Sequence, residues 1–211
     1  MIMNRTRLGA WALVVGTLIA MGGYLAAGTI VHGPGNIRYT SSLWAPLNGI
    51  AIAGDIIVAL GLPVLLTYHG RRVPWLTLIG YVGLFTTLVM LNIGEGCVEA
   101  FIKPYLATHR GIPAGAPAGL GVFEGFALAC LAVGLTCLGI AVIRARVFPR
   151  WVGTLFTASV AAAFLLRGPL ALLSDYLAFI TIFAIGVQIV RTESRNPGSV
   201  PGLEQRVRPT T

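Results

Sequence analysis

The chain reads as an all-α membrane protein, a single bundle of six transmembrane helices with both termini on the cytoplasmic side. Three observations predict this. Hydrophobic residues make up 56% of the sequence and charged residues only 10%, more apolar surface than a soluble domain hides. The apolar residues gather into six runs, each long enough to meet the roughly 20 residues that a helix needs to cross a bilayer with its backbone polar groups satisfied internally. The basic residues, finally, divide unevenly between alternate loops.

The first run, Leu8 to Val31, follows Arg5 and Arg7 but exceeds the roughly 7–15 apolar residues of a signal peptide, so it is expected to be a retained span. The second, Leu43 to Tyr68, carries Pro46 in its opening turn, where a missing N–H costs little, and Pro63 late in its course, where a kink or loosening is expected. The third runs from Val73 to Cys97 and opens on Pro74. Beyond it, Glu99 to Leu106 suits a short amphipathic continuation above the membrane, whereas Gly111 to Pro117 cannot hold a regular helix. The fourth span is Ala118 to Ile143, the fifth Phe148 to Leu166 and the sixth Pro169 to Val190. The turn Arg167-Gly168-Pro169 leaves the last two no choice but a close antiparallel hairpin. Residues 1–190 thus form the transmembrane domain. The stretch 191–211, with Pro197, Gly198, Pro201, Gly202 and Pro209, is expected to be a disordered cytoplasmic tail.

With the N-terminus inside, the cytoplasmic set is Arg5, Arg7, Arg71, Arg72, Arg144, Arg146, Arg150, Arg191, Arg195, Arg206 and Arg208, against Arg38, Lys103, Arg110 and Arg167 outside. Eleven against four is the asymmetry that fixes orientation. Aromatics agree: Trp11, Trp75 and Trp151 fall near cytoplasmic ends, and Tyr39, Trp44, Tyr105 and Tyr176 near external ones. The formal charge of +8 and pI near 10.1 therefore describe loops beside anionic headgroups. No basic stripe interleaved with stacking aromatics is present, which argues against a nucleic-acid partner. The expected partners are the lipid bilayer and either a second copy of the chain or another membrane protein.

Small residues four apart, Gly23 and Ala27, Gly49 and Ala53, and Gly121 and Gly125, let helices approach closely. The last pair serves either packing within the monomer or dimerisation. Cys97, Cys130 and Cys137 read as small apolar membrane residues, since no CxxC spacing occurs.

Ionisable groups within the spans are the candidate site. A charge at membrane depth costs about 2.5–3.5 kcal/mol on insertion scales, so such a residue should face the bundle interior and find a partner. Asp55 lies near mid-span, two turns beyond Asn48, as a structural carboxyl or an ion or proton station. Asn92, Glu95, Glu99 and Lys103 recur at spacings of three, four and four, one face of a helix leaving the bilayer. Glu124, Asp175 and Arg167 share their depth, so the acids could converge in one external polar layer with Arg167 as counter-charge. Three functional readings follow. The first is a structural or accessory role in which charges orient the helices. In the second, a small-solute, cation or proton transporter uses the acidic layer as its mouth, with Asp55 as a deeper station. In the third, the carboxylates with His32 or His109 bind a metal that activates water, as in an integral-membrane hydrolase, although no HExxH pair exists. No cofactor is expected, because the chain has no P-loop, Rossmann fingerprint, nucleophile elbow or facing intramembrane histidine pair.

One segment carries a family resemblance. Arg144-Ala145-Arg146-Val147-Phe148-Pro149-Arg150-Trp151-Val152-Gly153 resembles the entry to the fifth span in uncharacterised six-span bacterial membrane proteins grouped as a domain of unknown function. The layout would extend that likeness over most of residues 1–195. It implies a bacterial plasma-membrane setting, and brings no catalytic residue or substrate.

Overall fold

The structure, a computed structural model, describes residues 5–31, 33, 35–69, 72–109, 111–112, 117–165 and 172–195. Its regular elements are helices: α1 (Arg5–Ile30), a 3₁₀ turn (Gly35–Thr40), α2 (Trp44–Gly61), α3 (Val64–His69), α4 (Pro74–Thr87), α5 (Lys103–His109), α6 (Ala118–Ala145), α7 (Arg150–Leu165) and α8 (Leu172–Arg195). Between α4 and α5 the same rod continues as two π-helical stretches, Leu88–Glu95 and Val98–Ile102.

Among the described residues, five rods are long and apolar enough to cross a membrane: Arg5–Ile30, Trp44–Tyr68, Pro74–His109, Gly119–Ala145 and Leu173–Arg195. The expected fifth span is shorter. Its helix, α7, has 16 residues, about 24 Å at 1.5 Å per residue against a hydrocarbon core of roughly 30 Å. The turn at Arg167 to Pro169 lies outside the described residues, but α7 and α8 do pack together.

Local chemistry explains the breaks. Pro63 interrupts the second rod as expected. The chain passes Leu62–Pro63 with tighter i→i+3 bonds, from the Leu65 N–H to the Leu62 carbonyl at 2.9 Å and from Leu66 to Pro63 at 3.1 Å. The basic segment after α6 is a corner. Arg146 adopts a left-handed φ of 52° that ends the helix, Arg72 donates to the Ala145 carbonyl at 2.7 Å, and Phe148 turns inward to stack on Tyr68. Helix α8 runs to Arg195, five residues into the stretch 191–211 expected to be tail. Nothing before Pro197 breaks a helix, and Glu193 is buried and accepts a 2.9 Å bond from the Tyr68 hydroxyl.

The rods form a ring: α2 packs on α1, α1 on α8, α8 on α7, α7 on α6 and α6 on α4, and the π-helical part of the third rod closes back onto α2. Glycine sets the tightest seam. A Cβ on Gly54 would lie 2.3 Å from the Ala20 backbone nitrogen, one on Gly16 2.7 Å from the Val58 nitrogen, and one on Gly61 2.8 Å from the Gly9 carbonyl oxygen. Gly9, Gly16 and Gly23 thus recur every seven residues on α1 against Gly54 and Gly61 on α2. Gly83 and Gly134 meet in the same way between α4 and α6. The expected small-residue pairs fare unevenly. Gly23 does pack against Ala51, but a Cβ on Gly49 meets only Phe101, at 3.6 Å, and Gly121 and Gly125 face open space. That GxxxG pair makes no close contact with any other described helix.

The ends differ in charge. Arg5, Arg7, Arg72, Arg144, Arg146, Arg150, Arg191 and Arg195 gather at one end, and Arg38 and Lys103 stand at the other. Above the basic end the interior is solid: Leu13, Val58, Leu62, Leu65, Leu135, Leu138, Val152, Phe156, Ile185 and Ile189 are all buried in one apolar cluster. The opposite half is hollow.

Candidate functional site

The hollow is a cavity of about 780 Å³ between α1, α2, the π-helical rod, α6 and α8, within the range of small-molecule sites. Leu84, Leu88, Leu131 and Ile182, the upper edge of the solid core, form its floor. Its walls are largely apolar or aromatic, and the polar groups on them include Tyr24, Asn48, Asn92, Glu95, Glu99 and Asp175.

The third rod supplies the acidic stripe as its spacing predicted: Asn92, Glu95 and Glu99 all line the cavity. π-winding was not foreseen, and its upper end has a cause. The Lys103 N–H bonds five residues back to the Val98 carbonyl, and the next donor in that register would be Pro104, which has none. The Glu99 carbonyl is left over and accepts the Trp44 indole N–H at 2.9 Å. Around that bond a rim assembles. The Tyr39 hydroxyl donates to Glu99 Oε2 at 2.8 Å and accepts from Arg38 at 2.9 Å, while Lys103 pairs with Glu99 Oε1. The Arg38 guanidinium lies 4.9 Å from the Tyr39 ring centroid and 5.1 Å from that of Trp44. Glu99 is thereby neutralised, and both described cations of this end are engaged at the rim.

Glu95 and Asp175 differ from Glu99. Neither has an ion-pair partner among the described residues; Asp175 accepts from the Ser174 hydroxyl at 3.4 Å and lies within electrostatic reach of Asp55, and Glu95 meets other charges at longer range, Glu99, Glu124 and Lys103. Glu124 is thus near Glu95, though it is not part of the cavity wall. Of the layer expected from sequence, Glu95, Glu99 and Asp175 line one cavity and Glu124 lies near Glu95, whereas Arg167 lies outside the described residues. Asp55 sits deeper, fully buried, and accepts a 2.6 Å hydrogen bond from Tyr24, whose other side faces the cavity.

Of the two histidines proposed as metal ligands, only His109 is described. His109, exposed at the end of α5, stacks on Tyr105 at 4.4 Å, and His32 lies outside the described residues. Among the described residues no three His, Cys, Asp or Glu side chains are placed to hold a metal ion. Cys97, Cys130 and Cys137 are free and half-buried.

Sequence reading missed Tyr24, Tyr68, Glu193 and the Arg38–Tyr39–Trp44 rim as working parts. A tyrosine alone in an apolar run was the available signal for Tyr24, whereas Tyr68 and Glu193 are 125 residues apart, with no local pattern joining them. Comparison with protein-family models, curated proteins and solved structures finds no match for this chain.

Proposed function

We propose that this chain is a six-span plasma-membrane protein with cytoplasmic termini that binds and passes a small organic cation through its external half. One observation carries the reading: an apolar and aromatic cavity holding two carboxylates, Glu95 and Asp175, that no described cation neutralises. Such a chamber matches a ligand with an apolar body and a single positive charge, because a carboxylate at membrane depth is costly until a counter-charge arrives. Aromatic rings of Tyr24, Trp44 and Tyr176 offer the charge further faces. The span added to the five long rods is the shorter apolar helix α7, fifth in chain order, and orientation follows the basic end. Cysteine tagging should then label positions beside Arg146 from the cytoplasm and beside Gly115 from outside; the reverse pattern would turn the cavity inward.

Equilibrium binding of tetraphenylphosphonium to the purified chain in nanodiscs tests the chamber. The expected result is saturable binding that weakens at least about tenfold in Glu95→Gln or Asp175→Asn, roughly the 1.4 kcal/mol per decade of one lost charge contact, with no competition from tetraphenylborate. Binding that is non-saturable, or indifferent to both substitutions, would sink the proposal. A structural or accessory role keeps one supporting observation, since Gly121 and Gly125, four apart on one face of α6, meet no described residue and leave a surface that another membrane helix can approach closely. Cysteine cross-linking at Gly121 in membranes, giving a dimer or a hetero-adduct, would raise it.

A further inference from the structure

We propose that a second, buried site between α1 and α2 holds one small monovalent cation, sodium or a proton, on Asp55 and Thr17 beneath the solute cavity. The argument starts from two orphaned oxygens. Asp55 Oδ1 and Thr17 Oγ1 are the two buried side-chain oxygens without a hydrogen-bond partner among the described residues, and both residues are fully buried. Thr17 is the exception among its kind. The other buried threonines, Thr77, Thr87 and Thr181, each return their hydroxyl to the carbonyl four residues back, the usual outlet for such a group in a helix.

The two orphans lie on touching turns. Each directly follows a glycine of the tightest helix contact in the molecule: a Cβ on Gly16 would come 2.9 Å from the Gly54 carbonyl oxygen, and one on Gly54 2.8 Å from the Gly16 carbonyl oxygen. Two hard oxygens on adjoining turns of a dry interior, one of them anionic and neither satisfied by the protein, are the donor chemistry that sodium or a retained proton would satisfy. Tyr24 connects this site to the chamber above, since its hydroxyl holds Asp55 Oδ2 while the residue lines the cavity. The other titratable group facing Asp55 is Asp175 from α8; the third rod contributes Asn92 beside Tyr24, and Glu95 farther along the cavity wall.

The site is tested without any solute, so its fate is separate from that of the chamber. The thermal midpoint of the full chain in nanodiscs is followed in two titrations, sodium replacing potassium at fixed pH and ionic strength, and pH in sodium-free potassium buffer. One titration is expected to give a saturable rise of about 5 °C or more at a hundredfold excess over half-saturation, absent in Asp55→Asn. Thr17→Val, which keeps the branched shape, should weaken a sodium response at least about tenfold and leave a proton response in place. Should Asp55→Asn fail to fold, Tyr24→Phe serves instead, because freeing Oδ2 must move the midpoint of whichever titration is positive. A flat wild-type response in both titrations overturns the site, as does a response identical in the wild type and these variants.

Discussion

The two halves of the bundle use the same helices to opposite ends. Toward the arginine-rich end, side chains from α1, α2, α3, α6, α7 and α8 fill the interior completely, and the polar groups buried there are paired locally, as Tyr68 is with Glu193. Toward the other end, α1, α2 and α8 surround about 780 Å³ of space, and carboxylates stand on its walls. The difference teaches where this chain can tolerate polarity. A lipid-embedded interior gains little from apolar contact alone, so the solid half is held by close glycine seams and dense packing. The hollow half is held by hydrogen bonds around its rim.

That contrast can be broken by substitution, most severely at the seam common to both halves. Gly54→Leu places a side chain where the Ala20 backbone already stands, and a loss of more than about 3 kcal/mol in reversible detergent unfolding is expected, the upper range of overpacking. Phe156→Ala empties a fully buried position in the solid half and should cost about 3–5 kcal/mol by the same measurement. Tyr68→Phe removes a hydrogen bond to a buried carboxylate and is expected to cost about 1.5–3 kcal/mol. Leu91→Ala changes a half-buried wall of the existing cavity, so the loss should stay below about 1 kcal/mol, well under the usual range for a core leucine. The smallest effect belongs to Gly125→Ala, whose added methyl meets nothing; thermal stability should hold or rise by up to about 1 kcal/mol from helix propensity. Equal losses for Phe156→Ala and Leu91→Ala would erase the distinction between the halves.

Much of this division is legible in the sequence. Apolar length predicts the rods, Pro63 predicts the break in the second, and the three-four-four spacing from Asn92 to Lys103 places acids on one face even though the helix winds more widely than an α-helix. The depth of Asp55 follows from simple counting. What escapes is pairwise. Spacing of four marks small residues in the sequence, yet the α1–α2 seam uses glycines seven apart, and the GxxxG of α6 meets no described neighbour. Which of many glycines meets a neighbour depends on helix rotation, and a strongly apolar rod without an amphipathic face gives no rotation signal. Arg38 could be assigned a side but not a partner, because the rings that hold it come together only when the 3₁₀ turn folds over the third rod.

The bond from the Trp44 indole to the Glu99 carbonyl also makes the protein its own optical gauge. Three of the four tryptophans, Trp11, Trp75 and Trp151, stand exposed near the arginine-rich end, and only Trp44 is buried at the cavity rim. Its emission reports one hydrogen bond, made to a carbonyl that is unclaimed only while the rod keeps its wide turns. If Val98–Ile102 rewound to an α-helix, the Lys103 N–H would reclaim that carbonyl and the indole would lose its acceptor. A shift in the unquenched part of the fluorescence, with the outer three tryptophans suppressed by a lipid-phase quencher, would then time the rewinding directly.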